Sequence, residues 1–277
     1  MRGWGALLVW LAPAAAAAGP VELVLGGDWL ARPGLPVPAL ASKGAVVIVN
    51  LESPLAPCLP GGTVPRPRLC GDPREADLLR AAGVNAVTLA NNHALDAGRR
   101  GLRATAARLR RARIVPLGVE AALTGRLRGE RVGEITVVAA NLTPPAHPPG
   151  AKVKRPDPAA IGRAVRAARA QGRPVLVLLH SGRELDPRAS RREAAYVRAA
   201  VRAGASAVVM HGAHVIRPLY REGGVPVHLG LGNLRFHQRD RRARVGALLR
   251  LRLVGDGLAV AGQRCVDSLT ARPAPCD

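Results

Sequence analysis

The stretch ADLLRAAGVNAVTLANNHALDAG, residues 76–98, decides the fold. It begins with a helix-like run, turns at Gly83, continues as the apolar strand-like run VNAVTLA, and ends in Asn91, Asn92 and His93. Helix, glycine turn and buried strand in that order make half of a parallel β/α unit. Two amides and an imidazole at the strand's carboxyl end are not packing residues. They stand where open α/β sheets place ligands.

The same design recurs on both sides of this stretch. VELVLGGDW (21–29) and AVVIVNLES (45–53) are apolar runs that end in polar residues. AGRRGLRATAARLRRARIVPLG (97–118) reads as an Arg-rich helix followed by a short strand, and ITVVAANLT (135–143) as another strand. DPAAIGRAVRAARAQGRPVLVLLHSGRE (157–184) and REAAYVRAAVRAGASAVVMHGAH (192–214) each read as helix, turn and strand. VPVHLGLGNL (225–234) and ALLRLRLVGDGLAVAGQRCV (247–266) close the chain with strands, the latter folded back at Gly255-Asp256-Gly257. Near-continuous apolar strands alternating with helices predict an α/β fold with buried sheets.

Composition sets the outer bounds. The chain has 277 residues, 48% hydrophobic and only 2% aromatic, so the core is expected to be built from Val, Leu, Ile and Ala. The formal net charge of +22 admits a polyanionic partner. Lys43, Lys152 and Lys154 are the only lysines beside abundant Arg, a skew that points to coding bias more than to function. The aromatic residues that would stack bases are scarce, so no nucleic-acid partner is expected.

MRGWGALLVWLAPAAAAAGP (1–20) has the layout of a secretory signal, with cleavage expected near Ala16–Ala18. Residues 1–18 are read as the signal and 19–277 as one domain, without a stable membrane span once the signal is removed. A periplasmic or secreted protein is expected. Four cysteines, Cys58, Cys70, Cys265 and Cys276, agree with an oxidising compartment. Three connectivities are possible; local pairing, Cys58–Cys70 and Cys265–Cys276, closes the smallest loops.

The polar residues at the strand ends form a pattern: Asp28, Asn50 with Glu52, Asn91-Asn92-His93, Asn141, His180 and His211. Singly, each reads as a turn or cap residue, and Asn91 and Asn141 stay structural on this reading. Of the seven histidines, His93, His180, His211, His214 and His228 fall at three strand-end sites and one late strand. His147 and His237 are read as surface residues. Carboxylate, imidazole and amide together suit divalent cations such as Mn, Zn or Fe.

In wording and order these segments resemble the CapA family of poly-γ-glutamate capsule synthesis proteins, within the calcineurin-like metallophosphoesterase superfamily. The matching stretches are GGD (26–28), NLESPL (50–55), LANNHALDAG (89–98), HSGRE (180–184), GASAVVMHGAHVIRPL (204–219) and LGLGNL (229–234). The resemblance implies a four-layer α/β/β/α sandwich of the metallophosphatase-like type, with a two-cation site at one edge. It implies Asp28, Glu52, Asn92, His180, His211 and His214 as metal ligands, and His93 as the acid that protonates a leaving group. Asp96 either orients His93 or caps the following helix. Glu184 either positions His180 or is a solvated loop acid, and Asn233 of the late motif is a supporting residue. Departures from the family pattern are Ser181 after His180, Met210 before His211, Leu234 closing the late motif, and Lys43-Gly44-Ala45 where an Asp is common.

Two functions follow as expectations. One is an exported, metal-dependent hydrolase of capsule or poly-γ-glutamate biosynthesis. The other is an accessory protein that binds an anionic polymer such as poly-γ-glutamate during assembly or export and turns nothing over.

Overall fold

A computed structural model describes residues 21–40, 44–58, 68–144 and 153–276. The export signal expected over residues 1–18, and His147, lie outside the described residues.

The strands divide between two sheets. The first is eight-stranded. In it β1 (Glu22–Trp29), β2 (Val46–Leu51), β3 (Val84–Thr88) and β4 (Val115–Leu117) run parallel, with β4 at one edge. The long hairpin of β12 (Val245–Val254) and β13 (Gly257–Asp267) extends it antiparallel beside β1, with β14 (Pro273–Ala274) at the edge. β11 (Asn233–Arg235) adds a short parallel pairing to the end of β1. In the second sheet β6 (Ile135–Asn141), β7 (Val175–His180), β8 (Ala207–His211) and β10 (Val225–His228) run parallel. The antiparallel strands β5 (Gly129–Val132) and β9 (Leu219–Glu222) form its edges.

Side-chain alternation along each strand sorts the core into three layers. Leu23, Leu25 and Ile48 face Val137, Leu176, Leu178 and Val209 across the inter-sheet core. Val24, Val47, Val49 and Val87 point the other way, onto the layer of α1 (Glu75–Ala81), α2 (Gly98–Arg111) and the short α3 (Val119–Thr124). Val138, Val177 and Val208 pack outward on α4 (Pro158–Arg169) and α5 (Arg191–Arg202). Helix, sheet, sheet, helix is the four-layer sandwich expected. Strands buried on both faces explain why their sequences are nearly continuous apolar runs rather than alternating ones.

VPVHLGLGNL departs from its sequence reading. It is two strands in different sheets: β10 pairs with β8, whereas β11 pairs with β1. The crossing between sheets uses Gly232, at φ +64, where an added Cβ would lie 2.4 Å from the Val245 carbonyl oxygen. Only a residue without a side chain passes there.

The described cysteines form the disulfides Cys58–Cys70 and Cys265–Cys276. Among the described residues no helix is long and apolar enough to cross a membrane.

Gly27 is the extra residue between the pairs Gly26↔Val49 and Asp28↔Asn50, a bulge that re-aims Asp28. A Cβ on Gly27 would lie 2.1 Å from the Gly232 carbonyl oxygen, which also accepts the Asp28 N–H at 2.9 Å. Gly27→Ala is therefore expected to push β11 off β1 and to lower unfolding free energy by about 2 kcal/mol in urea titrations.

Candidate metal centre

The parallel strands of both sheets end at the same edge of the sandwich. β1 delivers Asp28; the end of β2 delivers Asn50 and Glu52. The turn after β3 carries Asn92 and His93. From the facing sheet, His180 and His211 are register partners at the ends of β7 and β8. His214 follows in a turn with its backbone in the left-handed region, φ +61, a conformation a β-substituted residue adopts at a cost and that recurs at functional sites. Gly212, at φ +95, makes room for this turn: a Cβ there would lie 2.6 Å from Nε2 of His180.

The side chains converge. Nδ1 of His214 lies 3.1 Å from Oδ2 of Asp28 and 3.8 Å from Oε2 of Glu52. His211 Nδ1 is 3.6 Å from Oδ1 of Asp28, and His180 Nε2 is 3.4 Å from Oε1 of Glu52. Asp28, Glu52 and His214 offer ligand atoms within 4.8 Å of one another, a span one cation can bridge. Asn92 lines the same cleft, a cavity of about 490 Å³ that Glu52, His93, His180 and His214 also line. The fold brings both His211 and His214 to Asp28, one to each oxygen.

Buried carboxylates and imidazoles set one another's proton affinity. Burial works against the Asp28 carboxylate, yet the hydrogen bond and charge of His214, with the charges of His211 and His180, hold its pKa at about 2. Glu52 goes the other way, well above the carboxylate range, driven by burial and then by the charge of Asp28. Burial lowers His180 to about 3, and lowers His211, so both imidazoles are neutral and able to ligate near pH 7. Burial also opposes a proton on His214, but the charge of Glu52, the hydrogen bond and charge of Asp28, and the bond to Asn233 raise it to about 10. Between them, Glu52 and His214 retain a proton at neutrality.

His93 is held separately. Its Nδ1 lies 2.7 Å from Oδ2 of Asp96, and the same oxygen accepts the Leu69 N–H at 2.6 Å. A fully buried carboxylate on Nδ1 assigns the proton to that nitrogen and leaves Nε2 for the cleft. Asp96 therefore orients His93. It does not cap α2, whose N-cap is Ala97, without a side-chain cap bond.

Glu184 is not bonded to His180. It accepts from Gln238 Nε2, Gln238 Oε1 accepts from Asn233, and Asn233 Oδ1 meets His214 Nδ1 at 2.9 Å. The loop acid thus reaches the cluster through His214, by way of two amides. Asn141 is structural, its Oδ1 accepting from Thr143 N–H and hydroxyl. His228 is buried against Gln263, its pKa lowered to about 4 by burial. His237 is exposed at the cleft rim.

Asn50, read from the sequence as one strand-end residue among several, is the central strut. Its Nδ2 donates to Asp28 Oδ1 at 2.8 Å and lies 3.4 Å from His180 Nδ1, joining the two sheets. Asn91 Nδ2 in turn donates to Asn50 Oδ1 and to the Leu51 carbonyl. The sequence signals for Asn50 are its strand-end position and its place at the start of NLESPL, and neither shows that it bridges the sheets.

Three buried atoms bear on whether a cation fits: Glu52 Oε2, Asn92 Oδ1 and His211 Nδ1 have no hydrogen-bond partner among the described residues. Orphaned buried lone pairs are costly unless something electrophilic meets them, and these come from carboxylate, amide and imidazole. The residues present fit a divalent cation. Ligation requires His214 to be neutral and Glu52 ionised, so cation uptake displaces the proton they hold. Affinity is expected to rise with pH while His214 is protonated, below about 10. Titrating Mn²⁺ or Zn²⁺ into chelator-treated protein in buffers of different ionisation enthalpy is expected to show release of about one to two protons at pH 7.

Residues 35–238 match the family described as bacterial capsule synthesis protein PGA_cap. The PGA biosynthesis protein CapA of Bacillus subtilis (strain 168) is 27% identical over 209 residues, covering 72% of this chain and 54% of that protein. The capsule biosynthesis protein CapA of Bacillus anthracis is 29% identical over 196 residues, covering 66% of this chain and 47% of that protein. The chain thus spans about half the length of the curated relatives it matches. A hypothetical protein from Thermus thermophilus, known from a crystal structure, aligns with TM-score 0.49 at 17% identity, over 92% of this chain and 96% of its own. The family match runs through Glu52, Asn92, His93, His180, His211 and His214, with Asp28 just ahead of it on the strand that pairs with Asn50 and Asn233. On that extent of agreement, this chain belongs to the bacterial capsule synthesis protein PGA_cap family.

Proposed function

We propose that this chain is an exported, divalent-metal-dependent hydrolase of capsule or poly-γ-glutamate biosynthesis, acting on an anionic polymer. One observation carries the reading: Asp28, Glu52, His180, His211 and His214, from two sheets, meet at one solvent-reached edge with buried atoms left unpartnered. Asp28, Glu52, Asn92, His180, His211 and His214 would hold two cations, Mn, Zn or Fe. Such ions supply an activated water and positive charge for a developing oxyanion.

The chain's own groups do the rest. Asn50 fixes the Asp28 carboxylate by donating to Oδ1, and Asn233 fixes the His214 ring through Nδ1. Phe236, with its ring 5.1 Å from that of His214, covers the imidazole on one side. His93, oriented by Asp96, presents Nε2 to the cleft; with both ring nitrogens protonated, it would give the Nε2 proton to the leaving group and keep the Nδ1 proton on Asp96. Two disulfides support an oxidising compartment, periplasmic or outside the cell.

A second reading has its own support in the net charge of +22: an accessory protein that binds the polymer without turnover. The two part on one experiment. For the hydrolase, purified protein carries transition metal by elemental analysis, and hydrolysis of an aryl phosphate falls about 100-fold or more in His93→Ala while metal content holds. Metal-free protein without turnover, whose polyglutamate binding survives His93→Ala and weakens with salt, overturns it in favour of the accessory role.

A further inference from the structure

Beside the cleft lies a second cavity of about 530 Å³, and Thr143, Gly182 and Arg183 line both. The two spaces share the wall formed by the segment that follows His180. Three arginines line the second cavity: Arg183, Arg188 and Arg192.

Its two acids are already engaged. Glu193 is buried, paired with Arg217 Nη1 at 2.8 Å and closed into the capping box of α5 with Ser190. Asp186 accepts from the Arg188 N–H at 3.0 Å and from Arg188 Nε at 3.3 Å. The Arg188 side chain nevertheless stays 86% exposed. Arg192 lies over the Tyr196 ring at 5.8 Å, and Arg183 engages described residues only through its backbone carbonyl. Arg217 is buried behind this wall and holds it: Nε donates to the Asp186 carbonyl at 2.8 Å, Nη2 to the Arg183 carbonyl at 3.5 Å. The arginines are therefore exposed residues mounted on an anchored ridge.

We propose that this cavity is an anion subsite that takes a second carboxylate of a polycarboxylate chain whose neighbouring unit occupies the metal cleft. The inference rests on the reading of that cleft as the reacting site. Guanidinium forks match carboxylate oxygens two by two. The engaged acids in the same wall favour a singly charged carboxylate over a phosphate, whose larger charge they repel. Specificity for a chain over a monomer then comes from occupying two linked sites at once.

The test uses fluorescence anisotropy of a fluorescein-labelled short oligoglutamate. Arg183→Gln/Arg188→Gln/Arg192→Gln is expected to weaken binding about tenfold. A control with the same loss of charge, Arg100→Gln/Arg103→Gln/Arg111→Gln on α2 against the other sheet, is expected to change it less than about twofold. Equal losses in both variants would mean diffuse charge and overturn the subsite, as would tighter binding of an inorganic polyphosphate of equal charge. Metal content is measured on the same preparations. Wild-type protein without metal, yet with the arginine-specific loss, overturns the hydrolase reading and leaves an anion site standing. Metal-loaded protein without that loss does the reverse.

Discussion

Two carboxylates, Asp28 and Glu52, are buried together at the end of adjacent strands, and the rest of this edge of the molecule answers to that fact. Carboxylates this close and this dry cannot both stay charged unless positive charge is near them. The protein supplies imidazoles from three points of the facing sheet, His180, His211 and His214. Two of these are kept neutral by burial, and one holds a proton against it. A cluster balanced in this way holds a proton in the place where the proposed cation would sit. That is a different condition from a salt bridge, whose partners need nothing further.

The fold makes the condition possible by geometry rather than by local sequence preference. Parallel strands in both sheets send their carboxyl ends to one edge, and the inter-sheet core of Leu23, Leu25, Val137, Leu176 and Val209 fixes the distance between them. Small departures from regular strand geometry then aim the side chains. The bulge at Gly27 turns Asp28 toward β11, and the left-handed turn at His214 brings its ring back onto Asp28. The turn glycine Gly212 is packed against the His180 ring, so the backbone of one ligand segment seats the side chain of another.

Much of this is written in the residue order. Apolar runs bounded by Gly and ending in Asp, Glu, Asn or His mark both the strands and the edge where they finish, because a strand buried on two faces has no reason to end in such residues unless they are used. What escapes such a reading is pairwise and long-range. Nothing in VPVHLGLGNL says that its halves serve different sheets; that depends on the space beside Gly232, set by Val245 of a strand further on. Asn50 becomes a strut only when His180, 130 residues later, arrives next to it. Glu184 looks like a partner for the histidine four residues before it, yet its contact runs to Gln238, which the fold brings across the cleft. Arg217 and Glu193, buried as a pair, read from sequence as one more Arg and one more helix acid.

The His93–Asp96 pair of the cleft shows how far such coupling extends. Oδ2 of Asp96 receives both the imidazole N–H of His93 and the backbone N–H of Leu69. Leu69 is the residue before Cys70, which is bonded to Cys58, itself a few residues beyond Glu52 and Ser53. Ser53 in turn accepts the Ala31 N–H at 3.0 Å, tying this segment to the end of β1 just past Asp28. One covalent bond thus closes a ring that runs from the Asp28 strand through the Glu52 segment to the N–H that holds Asp96. Because hydrogen bonds to a buried carboxylate fix its rotamer as well as its charge, the orientation of His93 is set partly by that oxidised cysteine pair. The Cys58–Cys70 disulfide and the geometry that aims the imidazole are, in this chain, parts of one constraint.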